Sequence, residues 1–332
     1  MANAPHRRLI VNGKSAGAPG LREAVHAGRR DGQRLDVRVT WERGDGERYV
    51  DEAIADGIDC VIAGGGDGTL GEIAGALAAQ AEQGAAIPHI AVLPLGTAND
   101  FAAAAGIPAM LDAAFTLALS GTARPVDILR VQAGSRMRWC MNVATGGFGT
   151  QATTDMNDGL KKYLGGLSYL LGGVAAICRA QPQEVELRGP GFRWTGPMIA
   201  LGIGNARQAG GGQALCPDAL IDDGLLDVTV VGELSGELAG TMATAIADGK
   251  QAALDQVAER ARLPWLEVLS TQPLTLNLDG EPVEGERFRI DCLAHRLRLV
   301  LPPGCLLLED PAVTASMASR GIVDRTGQAE PL

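Results

Sequence analysis

The residues best suited to chemistry lie in a glycine-rich segment of the first half of the chain. There Gly64-Gly65-Gly66-Asp67-Gly68-Thr69 follows the apolar run 58–63. A helical pattern comes next, with Leu70, Ile73 and Leu77 at spacings of three and four. This order predicts a buried strand, a tight glycine turn and a helix. Such a turn lets backbone N–H groups approach an anion, and the helix N-terminus adds about half a positive charge. Phosphate is the anion that we expect.

Asp67 is unusual in an anion site, because a carboxylate repels phosphate unless a cation lies between them. Mg²⁺ commonly takes that place, bound by carboxylates and by the phosphates of a nucleotide. Gly66, Gly68 and Gly71 also fit the G-x-G-x-x-G dinucleotide pattern, but the acidic residue that this pattern needs about 20 residues further on is absent from 86–90. The segment therefore favours a magnesium nucleotide over a dinucleotide, the alternative being a strand-to-helix connection that binds nothing.

A second glycine turn follows the next apolar run. The segment 90–94 reads as a short strand, and Leu95-Gly96-Thr97-Ala98-Asn99-Asp100 then opens another helix. Ligands of parallel sheets bind at the carboxyl ends of the strands, so the two turns are expected on one edge of the sheet. Lys14, in the loop after the first strand at 9–11, is either a phosphate contact there or a solvated loop lysine.

The elements that must position these turns alternate between strand and helix over residues 1–125. This order predicts an α/β nucleotide-binding domain. From Pro125 onward, short strands and connections rich in glycine and proline predict a mostly antiparallel β domain over 126–309, interrupted by helical segments at 163–178 and around 233–260. The polar segment 310–332 loses periodicity and is predicted to be a disordered tail.

Composition narrows the class of function. The chain has 29 Lys and Arg against 39 Asp and Glu, a net charge of −10, which argues against nucleic acid as a partner. Six cysteines without C-x-x-C spacing and four histidines argue against a zinc site. Scattered cysteines and the short apolar run at 9–11, too short for a signal peptide, predict a cytoplasmic globular protein.

One uncharged helical segment, Tyr163 to Cys178, has two interpretations. It is shorter than the ~20 residues that span a bilayer, so it is either a buried core helix or one wall of a groove for an acyl chain. Basic residues near it are the predicted surface for docking on a membrane: Lys161, Lys162, Arg179 and Arg188.

The motifs, taken in their order along the chain, resemble one family. The segments that carry the resemblance are Val39-Thr40-Trp41-Glu42, the two glycine turns, Gly204-Asn205 with Gly210-Gly211-Gly212, Asp222-Asp223-Gly224-Leu225-Leu226-Asp227 and Leu278-Asp279-Gly280-Glu281. Together they are similar to the diacylglycerol kinase catalytic domain and, more narrowly, to the YegS-type bacterial lipid kinases. The resemblance extends from Leu9 to Leu307. The Gly-Gly-Asp-Gly-Thr segment alone is less specific, since NAD kinases share it.

The resemblance implies an active site in the cleft between the two domains and a set of site residues. It assigns the general base to Glu281 and a structural metal site to Leu220, Asp223 and Leu225, where carbonyl and carboxylate oxygens suit Mg²⁺ or Ca²⁺. Asp67 stays open as a competing base, and Asp127 as a residue that holds a water on Mg²⁺. The ATP contacts that it implies are Thr40, Gly66, Asp67, Gly68, Thr69, Leu70, Gly71, Glu72 and Thr97.

These residues predict an ATP-dependent lipid kinase that phosphorylates a primary hydroxyl of phosphatidylglycerol or diacylglycerol. The enzyme is expected to be cytoplasmic and to visit the inner membrane face transiently. Two alternatives are a soluble kinase of the NAD-kinase type and a non-catalytic sensor of lipid or nucleotide on the same scaffold. Read without the resemblance, Asp279-Gly280-Glu281 is a hairpin turn.

Overall fold

The computed structural model describes residues 5–147, 182–233 and 250–309. The elements, in chain order, are β1 (His6–Asn12), α1 (Leu21–Arg30), β2 (Arg34–Thr40), α2 (Asp45–Ala55), β3 (Cys60–Gly65), α3 (Asp67–Glu82), β4 (His89–Pro94), α4 (Asp100–Ala104), α5 (Leu111–Ser120), β5 (Thr122–Ala133), β6 (Arg136–Cys140), β7 (Val143–Gly147), β8 (Gln183–Gly189), β9 (Phe192–Gly204), β10 (Gln208–Ala209), β11 (Gln213–Ala214), β12 (Leu226–Gly232), α6 (Lys250–Val257), β13 (Ala258–Leu263), β14 (Trp265–Leu278) and β15 (Glu281–Leu301).

The first domain is a parallel sheet with strand order β4-β3-β1-β2. β1, β3 and β4 are buried on both faces, as continuous apolar runs such as Leu9-Ile10-Val11 require, whereas the edge strand β2 is partly exposed. Alternate residues face opposite sides: Leu9 and Val11 pack in one cluster with α1 and α5, while Ile10 packs in another with α2 and α3. The sheet therefore lies between two layers of helices, and both glycine turns leave it at the carboxyl edge.

The second domain is antiparallel, with the order β13-β12-β9-β7-β14-β15 and with β8 paired to β14 and β9. Its core contains inward-facing residues such as Leu201, Val228, Leu276 and Phe288. The prediction of an α/β domain followed by an antiparallel β domain is confirmed.

Two long strands join the domains. β5 pairs antiparallel with β15 from Phe288↔Ala133 to Leu301↔Thr122, with an irregularity between Leu293 and Leu297. Near its end β15 also pairs in parallel with β4, at Leu299↔Ile90. As a result, thirteen strands of the described chain form one continuous sheet. β5 runs across the boundary predicted at residue 125.

The structure corrects one secondary-structure prediction. The region expected to be helical around 233–260 contains α6, but the chain becomes extended at Ala258 and forms β13 along β12. The segment Ala258-Glu259-Arg260-Ala261-Arg262 is rich in good helix formers, and pairing at the sheet edge overrides that preference.

Two other predictions lie outside the described residues: the helix at 163–178 and the disordered tail at 310–332. Within the described ranges, no helix is both long enough and apolar enough to cross a membrane.

Candidate active site

The two glycine turns are in direct contact. β3 and β4 are neighbours in the sheet, and the Leu95 N–H donates to the Gly65 carbonyl oxygen at 2.9 Å. A Cβ atom added to Gly96 would lie 2.4 Å from the Gly66 Cα atom, so the second turn packs backbone against backbone on the first. The predicted meeting of the two turns at one edge therefore corresponds to what the structure shows.

Asp67 connects these turns. Its carboxylate accepts the N–H groups of Asp100 at 3.0 Å and Phe101 at 2.9 Å, which are the first two residues of α4. A carboxylate at a helix N-terminus satisfies free N–H groups and interacts favourably with the helix dipole. Asp67 thus has a structural reason to stand in the glycine turn, and its presence alone does not require a bound Mg²⁺, as the sequence argument assumed.

Asp100 extends this link to the second domain. Its buried carboxylate accepts the N–H groups of Gly211 at 2.9 Å and Gly212 at 2.6 Å. Both glycines have positive φ angles, of 85° and 94°. Burial, followed by the nearby charge of Asp67, raises the pKa of the Asp100 carboxyl, while the two N–H bonds oppose that shift.

The hairpin turn between β14 and β15 reaches the same place from the second domain. A Cβ atom added to Gly71, in the second turn of α3, would lie 2.8 Å from an Asp279 carboxylate oxygen. Glu281 follows on β15 with an exposed side chain, and its Oε2 lies 3.2 Å from the Arg43 Nη2. The hairpin that carries the predicted base therefore rests on the helix that begins in the first glycine turn.

Glu72, on α3, links this region to helix α2. Its Oε1 accepts the Gly46 N–H at 3.1 Å, in the first turn of α2. Burial is the main cause that raises the pKa of its carboxyl, and the nearby charge of Glu281 adds to the shift. Among the neighbouring predicted contacts, the Leu70 side chain packs in the hydrophobic core, so only its backbone faces the turn.

The rim of the site contains residues that sequence reasoning did not single out. Arg43 and Trp41 are 89% and 83% exposed, on the turn after β2. That turn is fixed by the buried Asp45, which accepts the N–H groups of Trp41 and Glu42. Trp41 was noted only as part of a motif, and no spacing pattern indicated Arg43.

The remaining predicted nucleotide contacts also lie along this edge. The Thr40 carbonyl oxygen accepts the Gly13 N–H at 3.0 Å, which places the Lys14 loop beside β2. Lys14 and Thr97 are exposed, and Thr69 is buried against Gly65.

The predicted metal residues lie on a separate turn. The Asp223 side chain is 6% exposed; one of its oxygens accepts the Leu225 N–H at 3.0 Å and the other pairs with Arg262. Arg262 also approaches Asp227 at 3.4 Å. The guanidinium thus supplies positive charge at Asp223 in this arrangement.

In the described parts of the chain, no three His, Cys, Asp or Glu side chains are grouped so as to hold a metal ion. The metal site at Leu220, Asp223 and Leu225 stays a prediction.

Asp127 positions that turn. It is fully buried, and its carboxylate accepts the N–H groups of Gly224 and His295, both at 2.7 Å. Its main-chain N–H donates to the Ile221 carbonyl oxygen at 2.6 Å. These bonds make Asp127 a clamp on the 221–224 turn, whereas the water-holding role implied by the resemblance stays a prediction.

Asp127 also gives folding a pH dependence. Burial raises the pKa of its carboxyl from 3.8 to about 6, so the protonated form favours the folded state. This contribution is complete below the unfolded pKa of 3.8 and is lost as the pH rises through about 6. Between about pH 4 and 6, Asp127 should make the unfolding free energy fall as the pH rises, with a slope equivalent to about one bound proton. We expect Asp127→Asn to remove that part of the slope. Urea unfolding at several pH values measures the slope, and an unchanged slope contradicts the prediction.

The predicted membrane-docking surface is only partly described. Arg188 pairs with Glu186 at 2.6 Å on β8. Lys161, Lys162 and Arg179 lie outside the described residues.

Comparison with known proteins gives matches over most of the chain. Residues 6–131 match the model of the diacylglycerol kinase catalytic domain, and residues 142–301 match that of the YegS C-terminal NAD kinase beta sandwich-like domain. A Xanthomonas oryzae pv. oryzae protein named "Probable lipid kinase YegS-like" is 58% identical over 91% of this chain and 98% of its own length. A Yersinia enterocolitica protein of the same name is 45% identical over 92% and 99%.

The solved structures give the same fold. The crystal structure of a putative diacylglycerol kinase from Bacillus anthracis superimposes with a TM-score of 0.76 at 23% identity, covering 92% of this chain and 98% of that one. The fold and these matches identify the protein as a lipid kinase with a diacylglycerol kinase catalytic domain. Within that class, the chain belongs to the YegS-like lipid kinase family, and the predicted family is confirmed.

Proposed function

We propose that this lipid kinase transfers the γ-phosphate of Mg-ATP to a primary hydroxyl of a glycerolipid, either phosphatidylglycerol or diacylglycerol. One observation carries the proposal. The hairpin that bears the exposed Glu281 carboxylate packs on α3, the helix that begins in the first glycine turn. A carboxylate able to accept a proton therefore lies beside a site suited to phosphate.

The proposed mechanism rests on positioning and charge. Phosphoryl transfer needs an oriented phosphate, a cation and an oriented nucleophile, and little covalent chemistry from the protein. The backbone N–H groups of Gly66, Asp67 and Gly68, at the N-terminus of α3, orient the phosphates. Mg²⁺, carried with the nucleotide, supplies charge neutralisation there. We place the other nucleotide contacts on Gly71, Glu72, Thr40 and Thr97, with Arg43 and Trp41 at the rim.

Glu281 is favoured over Asp67 as the base. Both Asp67 oxygens accept backbone N–H groups of α4, so the carboxylate is already engaged in holding the two turns together. Glu281 accepts no backbone N–H among its described contacts and meets solvent, where the lipid hydroxyl must arrive. In this scheme Glu281 takes the hydroxyl proton as the oxygen attacks the γ-phosphorus, the bond from the γ-phosphorus to the β,γ-bridging oxygen breaks, and ADP leaves.

The test is transfer of labelled γ-phosphate from Mg-ATP to a panel of phosphatidylglycerol, diacylglycerol and extracted bacterial lipids in mixed micelles, with NAD as a soluble control. The proposal expects label in one glycerolipid, resolved by thin-layer chromatography. Label in NAD would identify the soluble alternative. The absence of any labelled product, together with retained ATP binding, would support the sensor.

The place of action follows from the substrate. The acceptor resides in a bilayer, so we infer that the enzyme works at the cytoplasmic face of the inner membrane and docks there transiently. Sedimentation with vesicles of bacterial lipids, with and without ATP, tests this. Equal recovery in the supernatant with and without vesicles contradicts it.

A further inference from the structure

We propose that Asp279 is a positioning residue for Glu281: its carboxylate anchors the hairpin turn that carries the base to two other parts of the molecule. The inference deepens the proposed function and rests on it only in taking Glu281 as the base. Asp279 lies two residues before Glu281, in the turn between β14 and β15.

The first anchor is the connection between β6 and β7. The Met141 N–H donates to Asp279 Oδ2 at 2.6 Å and the Asn142 N–H to Oδ1 at 3.0 Å. The Cys140 thiol also lies 3.3 Å from Oδ1. A hairpin turn with an Asp-Gly pair normally points its side chain to water, whereas here the carboxylate turns inward and receives three donors. Burial raises the pKa of this carboxyl to about 6, and the donors oppose that shift.

The second anchor is helix α3. A Cβ atom added to Gly71 would lie 2.8 Å from Asp279 Oδ2 and 2.9 Å from its Cβ atom. A Cβ atom on Gly68 would lie 3.5 Å from the Asp279 carbonyl oxygen. Side chain and backbone of Asp279 thus both rest on α3, and the side chain fits only because residue 71 is glycine.

These two anchors determine the direction in which the chain leaves Asp279 toward Glu281. Asp279 has a φ angle of 50° and Gly280 one of 101°, the left-handed path that an Asp-Gly pair favours in a two-residue hairpin turn. The Asp279 carboxylate is engaged by main-chain donors, so it positions the turn, and Glu281 remains the group that meets the lipid hydroxyl.

The first experiment is Asp279→Asn. An amide keeps the shape of the carboxyl group, but its NH₂ cannot accept a hydrogen bond, so Met141 or Asn142 loses its acceptor. A shift of the turn by about 1 Å can lower the rate by up to about 10²-fold. We expect kcat with the labelled lipid to fall by about 10- to 100-fold, while the dissociation constant for ATP stays within about twofold. An unchanged kcat, or an equal loss of ATP affinity, overturns the proposal.

A double-mutant cycle with Glu281→Gln separates positioning from an independent role. If Asp279 acts through Glu281, then Asp279→Asn causes no further loss in the Glu281→Gln background. The same fold loss in both backgrounds overturns the proposal. Wild-type turnover by Glu281→Gln alone, by contrast, rejects the assignment of the base and therefore the proposed mechanism.

Gly71→Ala disturbs the same contact from helix α3, because it adds a Cβ atom beside Asp279 and leaves the Asp279 carboxylate itself unchanged. Alanine favours the helix, so this variant is expected to fold if Asp279→Asn does not, and it should show the same loss of kcat. Gly17→Ala, in open space, is the matched control.

Amide hydrogen exchange at Met141 and Asn142 tests the anchor without any lipid. We expect Asp279→Asn to accelerate exchange at least tenfold at whichever of the two sites loses its acceptor, and unchanged exchange at both sites contradicts the anchor even if no substrate is found.

Discussion

Replacing Glu281 by glutamine is expected to lower lipid phosphorylation by about 10²- to 10⁴-fold, the usual contribution of a positioned general base. The amide is nearly isosteric with the carboxylate but cannot accept the hydroxyl proton. Glu281 and its partner Arg43 are both mostly exposed, so the ion pair contributes little to folding and the variant should keep the stability of the wild type. Initial rates with labelled ATP and the best lipid of the panel measure the loss.

Two controls make the result specific. ATP binding, followed by titration calorimetry, should be unchanged in Glu281→Gln, because Glu281 lies outside the glycine turns. Glu284→Gln changes an exposed glutamate on the same strand and should retain full activity. Turnover by Glu281→Gln within twofold of the wild type would leave Asp67 as the base.

Replacing Gly96 by alanine is expected to have the second large effect. The new Cβ atom would lie 2.4 Å from the Gly66 Cα atom and 2.9 Å from the Gly66 nitrogen, and backbone atoms cannot rotate away as a side chain can. The two glycine turns must then separate. Overpacking of this kind costs about 1–3 kcal/mol of stability, and a displacement of the phosphate turn by about 1 Å lowers kcat/KM by up to 10²-fold.

The control for Gly96→Ala is Gly17→Ala, because no atom lies within 4 Å of the Cβ position there and the backbone needs no positive φ angle. Urea unfolding and ATP titration of both variants give the comparison. We expect Gly96→Ala to weaken ATP binding as well as catalysis, in contrast to Glu281→Gln, which should affect catalysis alone. Equal ATP affinity in Gly96→Ala and the wild type would contradict the assignment of the turns to phosphate.

Much of the fold could be predicted from the sequence because its signals are local. The apolar runs that end in glycine turns gave the order of strands and helices in the first domain. Strand β13 was not predicted, because its residues favour a helix locally. Only pairing with the neighbouring strand β12 makes them extended.

Individual residues of the candidate site could be identified from the sequence, but the contacts between them could not. Glycine turns, Asp67 and Glu281 were identified from motifs, and the family they indicate is confirmed by the relatives. Asp67 was interpreted through Mg²⁺, because the sequence does not show that α4 would present two N–H groups to its carboxylate. The metal role of Asp223 stays a prediction, and nothing in the sequence indicates that Arg262 lies beside its carboxylate.

The sequence by itself determined the class of protein, the order of its elements and the residue types at the phosphate turns. Each of these features depends on short segments of the sequence, because residue spacing and turn preferences act over a few residues. Only the tertiary structure decided how the hairpin of the second domain meets helix α3 of the first. Arg43 and Glu281 are 238 positions apart, and Asn142 and Asp279 are 137 apart. Such contacts depend on how β5 and β15 join the two domains in one sheet, and no local pattern encodes that geometry.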